Sequence, residues 1–397
     1  MRFFLKKSLV LFIVVTVISA FYSCEVTVLE PDSAERVQLS NTINLHKTDI
    51  IATSNDAILK LVGDSLIFSN DLGKTWKKMK NTIGAITFVH FFSNQTCLIC
   101  GRYDAFWTDY SFEKLTQSIL YDYDGKEITE KTPHFFQALQ GHKYEYLIGG
   151  KNTLIWSDYL GETEGYVSRV WTTDDYGKTL RCICKNKETV AVTGEVISCR
   201  HFHDCIYREG FNELYITTGD FNNHCQLIKG VLKEEGWSFQ IINRGPLFKF
   251  DGMWIEEPFL YVLTDYTGYG NTGLLKVHFE QLHDISSYTY MVQDTKNRPL
   301  TRLYKFNNYR FLAYDGSIKG RLLMSVNGGE YEELTIMFDG DSGYSSNFIT
   351  APNNSGLCLM RRGNRNGNYD ITDLHLNDQM YVFTEAMHRA GYLDFAR

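Results

Sequence analysis

The 397-residue chain carries 40 Lys and Arg against 47 Asp and Glu, a formal net charge of −7. That balance argues against nucleic acid as a partner, whose binding face needs clustered cationic side chains to displace counterions. Apolar residues at 44% and charged residues at 22% exclude a disordered chain, and 25 Tyr with 26 Phe but only 6 Pro lean the composition toward strands.

The first element is a leader. Arg2, Lys6 and Lys7 precede an apolar run from Leu9 to Phe21, a secretory pattern short for a transmembrane span. Ser23-Cys24 at its end resembles a bacterial lipoprotein lipobox. The resemblance implies lipidation of Cys24 and a lipid-anchored protein of the periplasm or cell surface, with the membrane as a partner through that anchor. Phe21 and Tyr22 depart from the aliphatic and small residues of that motif, and cleavage after Ala20 to give a secreted protein is the alternative. Residues 1–23 are read as the signal peptide and 24–397 as one domain, since no Pro- or Ser-rich linker divides the chain. Eight further cysteines permit disulfides without revealing a connectivity. Cys97-Leu98-Ile99-Cys100 has metal-like spacing, but residues three apart on a strand face opposite sides. Cys182 and Cys184 read as buried thiols.

Internal repeats organise the rest. Ser69-Asn70-Asp71-Leu72-Gly73-Lys74-Thr75-Trp76 returns as Thr173-Asp174-Asp175-Tyr176-Gly177-Lys178-Thr179-Leu180, and in degenerate form as Ser325-Val326-Asn327-Gly328-Gly329-Glu330-Tyr331. Each follows an apolar strand-like run. The hydroxyl and carboxylate suit turn backbone donors, the Gly a positive φ, and the final aromatic or apolar residue begins the next strand. These segments resemble the Asp-box, or bacterial neuraminidase repeat. The resemblance implies a β-propeller of the sialidase-like superfamily in which Ser69, Asp71, Gly73, Trp76, Thr173, Asp175, Gly177, Ser325, Asn327 and Gly329 are structural. Third strands are expected near 66–70, 104–108, 169–173, 226–230, 273–277, 321–325 and 369–373. Seven units over about 370 residues give about 53 each, near the repeat length of propeller blades. The expected fold is all-β: a single propeller of four-stranded blades, seven favoured and six the alternative. Arg36–Ser40 is expected to supply a closing strand and 378–391 a short C-terminal helix.

First strands, which line the central channel, are expected at Ile86–Phe92, Pro133–Gln137, His201–Tyr207, Phe248–Trp254, Thr301–Phe306 and Asn347–Thr350. His201 and His203 lie two apart on one of them and share a face; they are the candidate catalytic pair. His90 and His134 fall on two others. Four histidines converging on one axis suit a divalent metal in the channel or acid–base work. Arg302 and Tyr304 offer a carboxylate clamp and a proton donor, and Asp220 ends a strand in the blade of the His pair. The stretch from Arg200-His201-Phe202-His203 to Thr217-Thr218-Gly219-Asp220 also resembles sialidase-like propellers. No F/Y-R-I-P arginine motif occurs, which argues against a true sialidase. Three readings stay open: a monomeric surface module binding a glycan or protein ligand; a glycoside hydrolase or uronate lyase using the channel histidines; an assembly or folding factor.

Overall fold

The computed structural model of the chain describes residues 48–54, 57–62, 65–70, 75–78, 86–101, 105–109, 116–117, 119–121, 145–157, 168–190, 193–219, 224–264, 272–294, 300–306, 309–314, 321–326, 329–335, 344–348 and 360–364. Short strands alternate with tight turns, so each strand finds its partner in the next. The first sheet is β1 (Thr48–Ser54), β2 (Ala57–Val62), β3 (Ser65–Ser69) and β4 (Lys77–Lys78). The second is β5 (Ile86–Phe91), β6 (Thr96–Gly101), β7 (Ala105–Asp109) and β8 (Thr116–Gln117). A short β9 (Ile119–Tyr121) precedes the third sheet, β10 (Glu145–Ile148), β11 (Lys151–Ser157), β12 (Arg169–Thr173) and β13 (Thr179–Lys185). The fourth is β14 (Phe202–Arg208), β15 (Glu213–Thr218), β16 (Gln226–Lys233) and β17 (Gly236–Arg244); the fifth is β18 (Phe250–Glu256), β19 (Phe259–Thr264), β20 (Thr272–His278) and β21 (Thr289–Asp294). The sixth is β22 (Leu300–Phe306), β23 (Tyr309–Tyr314), β24 (Arg321–Val326) and β25 (Tyr331–Thr335), and β26 (Tyr344–Phe348) pairs with β27 (Met360–Asn364).

Every consecutive pair within these sheets is antiparallel, and first strands of successive sheets pack side by side, β1 on β5, β14 on β18 and β18 on β22. β14 is buried along its whole length, while the outermost β17 is only half buried. Inner strands covered on both faces and a more exposed outer strand are what an all-β propeller requires. Apolar layers fill the seams. Phe92 and Leu98 pack with Trp156 and Trp171, Val170 and Cys184 with Phe202 and Leu214, and Leu227 with Met253, Leu274 and Leu312. Each such side chain contributes about 2 kcal/mol by burial. Cys97, Cys182, Cys184, Cys199, Cys205 and Cys225 are buried thiols rather than disulfides, and burial pushes Cys97, Cys184 and Cys205 well above the ordinary thiol range.

Six of the expected third strands are β3, β7, β12, β16, β20 and β24. The seventh, at 369–373, lies outside the described residues, as do Arg36–Ser40, 378–391 and Cys24. Two features add to the expected strands. Among the described residues the third sheet begins at Glu145–Ile148, where the two-residue Gly149-Gly150 turn, with φ of 58° and 79°, closes its first hairpin, and the expected Pro133–Gln137 lies outside the described residues. β9 then adds to the outer edge of β13 in parallel, Ile119 opposite Thr179, covering an edge that would otherwise be open.

The second repeat shows why its residues recur. The Asp175 carboxylate accepts from the Thr179 amide at 2.9 Å and the Thr179 hydroxyl at 2.6 Å, while the Thr173 hydroxyl donates to it at 2.9 Å and accepts from the Gly177 amide at 2.9 Å. Gly177 has φ 87°, and a Cβ there would meet the Phe92 ring at 3.0 Å. Leu180, the last position of the repeat, is fully buried. In the third repeat the Ser325 hydroxyl donates to the Gly329 carbonyl at 2.9 Å; Asn327 lies outside the described residues, as do Asp71 and Gly73 of the first repeat, where Ser69 is buried and Trp76 half-buried. Asp175→Ala removes three hydrogen bonds to a carboxylate and is expected to cost about 2 kcal/mol in urea unfolding. A loss under about 0.5 kcal/mol, the range of ordinary surface changes, means that the turn is held by other contacts.

Candidate functional site

Five first strands share an irregularity. Their ladders skip one residue near the start, at Ile51 in β1, Thr87 in β5, His203 in β14, Asp251 in β18 and Thr301 in β22. Such a bulge leaves the extra residue outside the ladder and re-aims it, and bulges are over-represented beside active sites. In the fourth and fifth sheets the bulged residues are the titratable ones, and they meet.

His203 Nδ1 stands 2.9 Å from Asp251 Oδ1 and 3.0 Å from the Phe250 carbonyl oxygen. Its Nε2 is 3.0 Å from His201 Nε2. Two acceptors at Nδ1 place a proton on that nitrogen, so the ring in its neutral form presents its lone pair at Nε2, toward His201. Both imidazoles are 1% exposed and Asp251 is 6% exposed. A Cβ at Gly219 would stand 2.0 Å from His203 Cε1. The glycine of Thr217-Thr218-Gly219 is therefore a matter of space: the His203 ring lies where a side chain would begin.

Beside them Asp204, fully buried, ties the same seam through backbone. Its Oδ1 accepts from the Cys205 amide at 2.8 Å and its Oδ2 from the Met253 amide of the next sheet at 2.7 Å.

The other expected site residues do not all join this group. His90 sits three residues beyond the bulged Thr87, about 10 Å further along its strand. Its Nε2 is 3.5 Å from Glu145 Oε1, and the Glu145 carboxylate takes the Ser93 amide at 2.7 Å and the Ser93 hydroxyl at 2.8 Å. Burial alone would raise Glu145; the hydrogen bonds from His90 and Ser93 outweigh it and hold the carboxyl below its ordinary range. The expected four-histidine convergence is thus corrected for His90, which serves the seam between the second and third sheets. His134 and Asp220 lie outside the described residues. In the ladder of β22 on β23, Arg302 pairs with Ala313 and Tyr304 with Phe311, and Arg302 occupies the register position that Asp204 holds in β14.

At the far end of the fourth and fifth sheets, Arg208 closes the seam that His203 and Asp251 close at the near end. Its Nε and Nη2 donate to Glu257 at 2.6 and 2.7 Å and Nη1 to Glu213 at 3.0 Å, with the guanidinium 3.6 Å from the Phe211 ring centre and 3.7 Å from that of Phe279. The Glu257 hydrogen bonds lead in raising the Arg208 pKa. Glu213 also receives Lys229 and the Tyr215 hydroxyl, at 2.8 Å from the latter. Burial would raise Glu213, yet the hydrogen bonds from Lys229, Tyr215 and Arg208 hold it below its ordinary value of about 4.5. A lowered carboxyl pKa gives stability that is present above the unfolded value and lost as pH falls through the folded one. Glu213→Gln is therefore expected to be less stable than wild type by about 2 kcal/mol at neutral pH, with the gap closing at pH below the folded value in unfolding measured across that range. A gap that persists unchanged in acid means that the carboxylate charge is not what binds the cluster.

Sequence reasoning missed Asp251, Asp204, Gly219 and Arg208. The available signal was positional: Phe202-His203-Asp204 and Phe250-Asp251-Gly252 occupy the same place in consecutive units.

No family model matches the chain, and no curated protein matches it. Among solved structures, the extracellular domain of a proposed hybrid two-component system of B. thetaiotaomicron aligns with a TM-score of 0.49 at 11% identity, over 80% of this chain and 40% of that one. The same organism's extracellular domain described under a proposed one-component system gives 0.46 at 11%, over 76% and 39%. A prolyl endopeptidase structure gives 0.43 at 10%, over 81% and 46%. The chain thus spans less than half the length of each.

Proposed function

We propose that the chain is an exported, seven-bladed Asp-box propeller, anchored through Cys24, that binds a glycan or protein ligand at the bulged end of its first strands and performs no chemistry there. The leader and the Ser23-Cys24 junction support the address; the repeat geometry around Asp175 supports the Asp-box reading. One observation carries binding over catalysis. The titratable set at that end, His201, His203 and Asp251, is enclosed and engaged with itself, whereas a general acid or base must reach a substrate proton. The five aligned bulges support that end as the seat of the ligand.

The test is an array of acidic and neutral oligosaccharides probed with wild type and with Thr87→Arg and Thr301→Arg, substitutions at the bulged positions of β5 and β22. Saturable binding that falls at least about tenfold in both variants, a cost of 1.4 kcal/mol, supports the reading. Binding indifferent to both variants overturns the location, and release of cleaved product from any oligosaccharide overturns the non-catalytic assignment.

A further inference from the structure

We propose that His201 and His203 hold one divalent transition-metal ion between their Nε2 atoms, with Asp251 fixing the His203 ring from behind. Three devices converge on that one imidazole. A bulge takes His203 out of the ladder. Gly219 gives up its side-chain space to the ring. Asp251 and the Phe250 carbonyl together hold Nδ1, at 2.9 and 3.0 Å. A carboxylate and a carbonyl on the rear nitrogen are the outer-sphere arrangement of metal-bound histidine: they fix the tautomer, aim the lone pair of the other nitrogen and raise its basicity.

That lone pair meets the second ring. The 3.0 Å between the two Nε2 atoms is the edge of a coordination polyhedron with metal–nitrogen bonds of about 2.1 Å, subtending about 90° at the ion. Two imidazoles select first-row transition metals over calcium or magnesium, which take oxygen donors. The near-right angle favours octahedral or square geometry over tetrahedral. The Asp251 carboxylate balances part of the ion's charge inside the seam. Among the described residues no third His, Cys, Asp or Glu completes the set, so the remaining positions fall to small oxygen donors such as water.

The experiment is metal analysis of the purified protein, of Asp251→Asn and of the His201→Ala/His203→Ala double variant, with thermal melts before and after chelation. About one zinc, nickel, iron or manganese per wild-type chain is expected, absent from the double variant, with a Tm that falls on chelation and returns on adding back the ion. Asp251→Asn should bind zinc roughly ten- to a hundredfold more weakly in competition with a chromophoric chelator. Metal-free wild type whose Tm ignores both chelator and added metal leaves a proton shared between the rings and overturns the proposal, as does an ion retained by the double variant. Should the double variant fail to fold, the wild-type melts and Asp251→Asn decide. Metal content is read without any ligand, so its failure and the failure of ligand binding are separate results.

Discussion

Gly219→Ala is expected to destabilise the protein by about 3 kcal/mol, a fall in Tm of about 4 °C for a domain of this size. The cause is a collision rather than a backbone conformation. The new Cβ would stand 2.0 Å from His203 Cε1, 2.6 Å from Nε2 and 2.8 Å from Nδ1. A flexible side-chain tip would swing aside cheaply. This ring does not, because Asp251 and the Phe250 carbonyl hold one nitrogen and His201 faces the other. Either the ring moves and abandons those partners inside a closed seam, or β15 moves and opens the fourth sheet. The decisive measurement is a double-mutant cycle with His203→Ala, read in urea unfolding. With the ring gone, adding Gly219→Ala should cost less than about 1 kcal/mol. A Gly219→Ala penalty that is the same with and without His203 places the strain in the backbone instead and removes Gly219 from the site.

Most of the strand order was legible in the sequence because each unit is a local meander. Short apolar runs mark β11 and β12, apolar residues alternate with polar ones at the start of β13, and the repeats mark the turn between third and fourth strands. Where pairing is not local, legibility ends. β9 has three residues and pairs in parallel with a strand some sixty residues on, and nothing in Ile119-Leu120-Tyr121 points there. Glu145-Tyr146-Leu147-Ile148, the strand that opens the third sheet among the described residues, owes its place to a Gly-Gly turn rather than to a marked apolar alternation.

The candidate site was legible by half. His201 and His203 were picked by their spacing, and they do meet. A regular strand brings residues two apart onto one face. The observed reason is different: His201 precedes β14 and His203 is its bulged residue. A bulge shifts the side-chain alternation by one and leaves no mark in composition. For the same reason Asp251 went unseen. In Phe250-Asp251-Gly252 the aspartate and glycine read as a turn, and only the ladder of β18 on β19 shows that the aspartate is the extra residue of a strand. His90 shows the converse, since it lies on a first strand as expected but at the wrong height.

Asp204 offers the sharpest separation of a charge from its shape. Its two oxygens serve two different backbone donors, Cys205 in its own strand and Met253 in the next sheet. Asp204→Ala leaves both amides buried without that acceptor and is expected to cost about 3–4 kcal/mol, at the upper end for hydrogen bonds to charged groups. Asp204→Asn fills the same volume yet has one oxygen. Whichever amide takes it, the other faces an NH2 group, donor against donor. Asn is therefore expected to recover little, leaving a loss of at least about 2 kcal/mol, and hydrogen exchange at Met253 should accelerate in both variants because that bond is the one crossing the seam. An Asn variant as stable as wild type means that a single acceptor suffices and that the seam is held by packing. An accelerated Met253 with an unchanged global stability means that the seam opens locally, as a separate unit from the rest of the propeller.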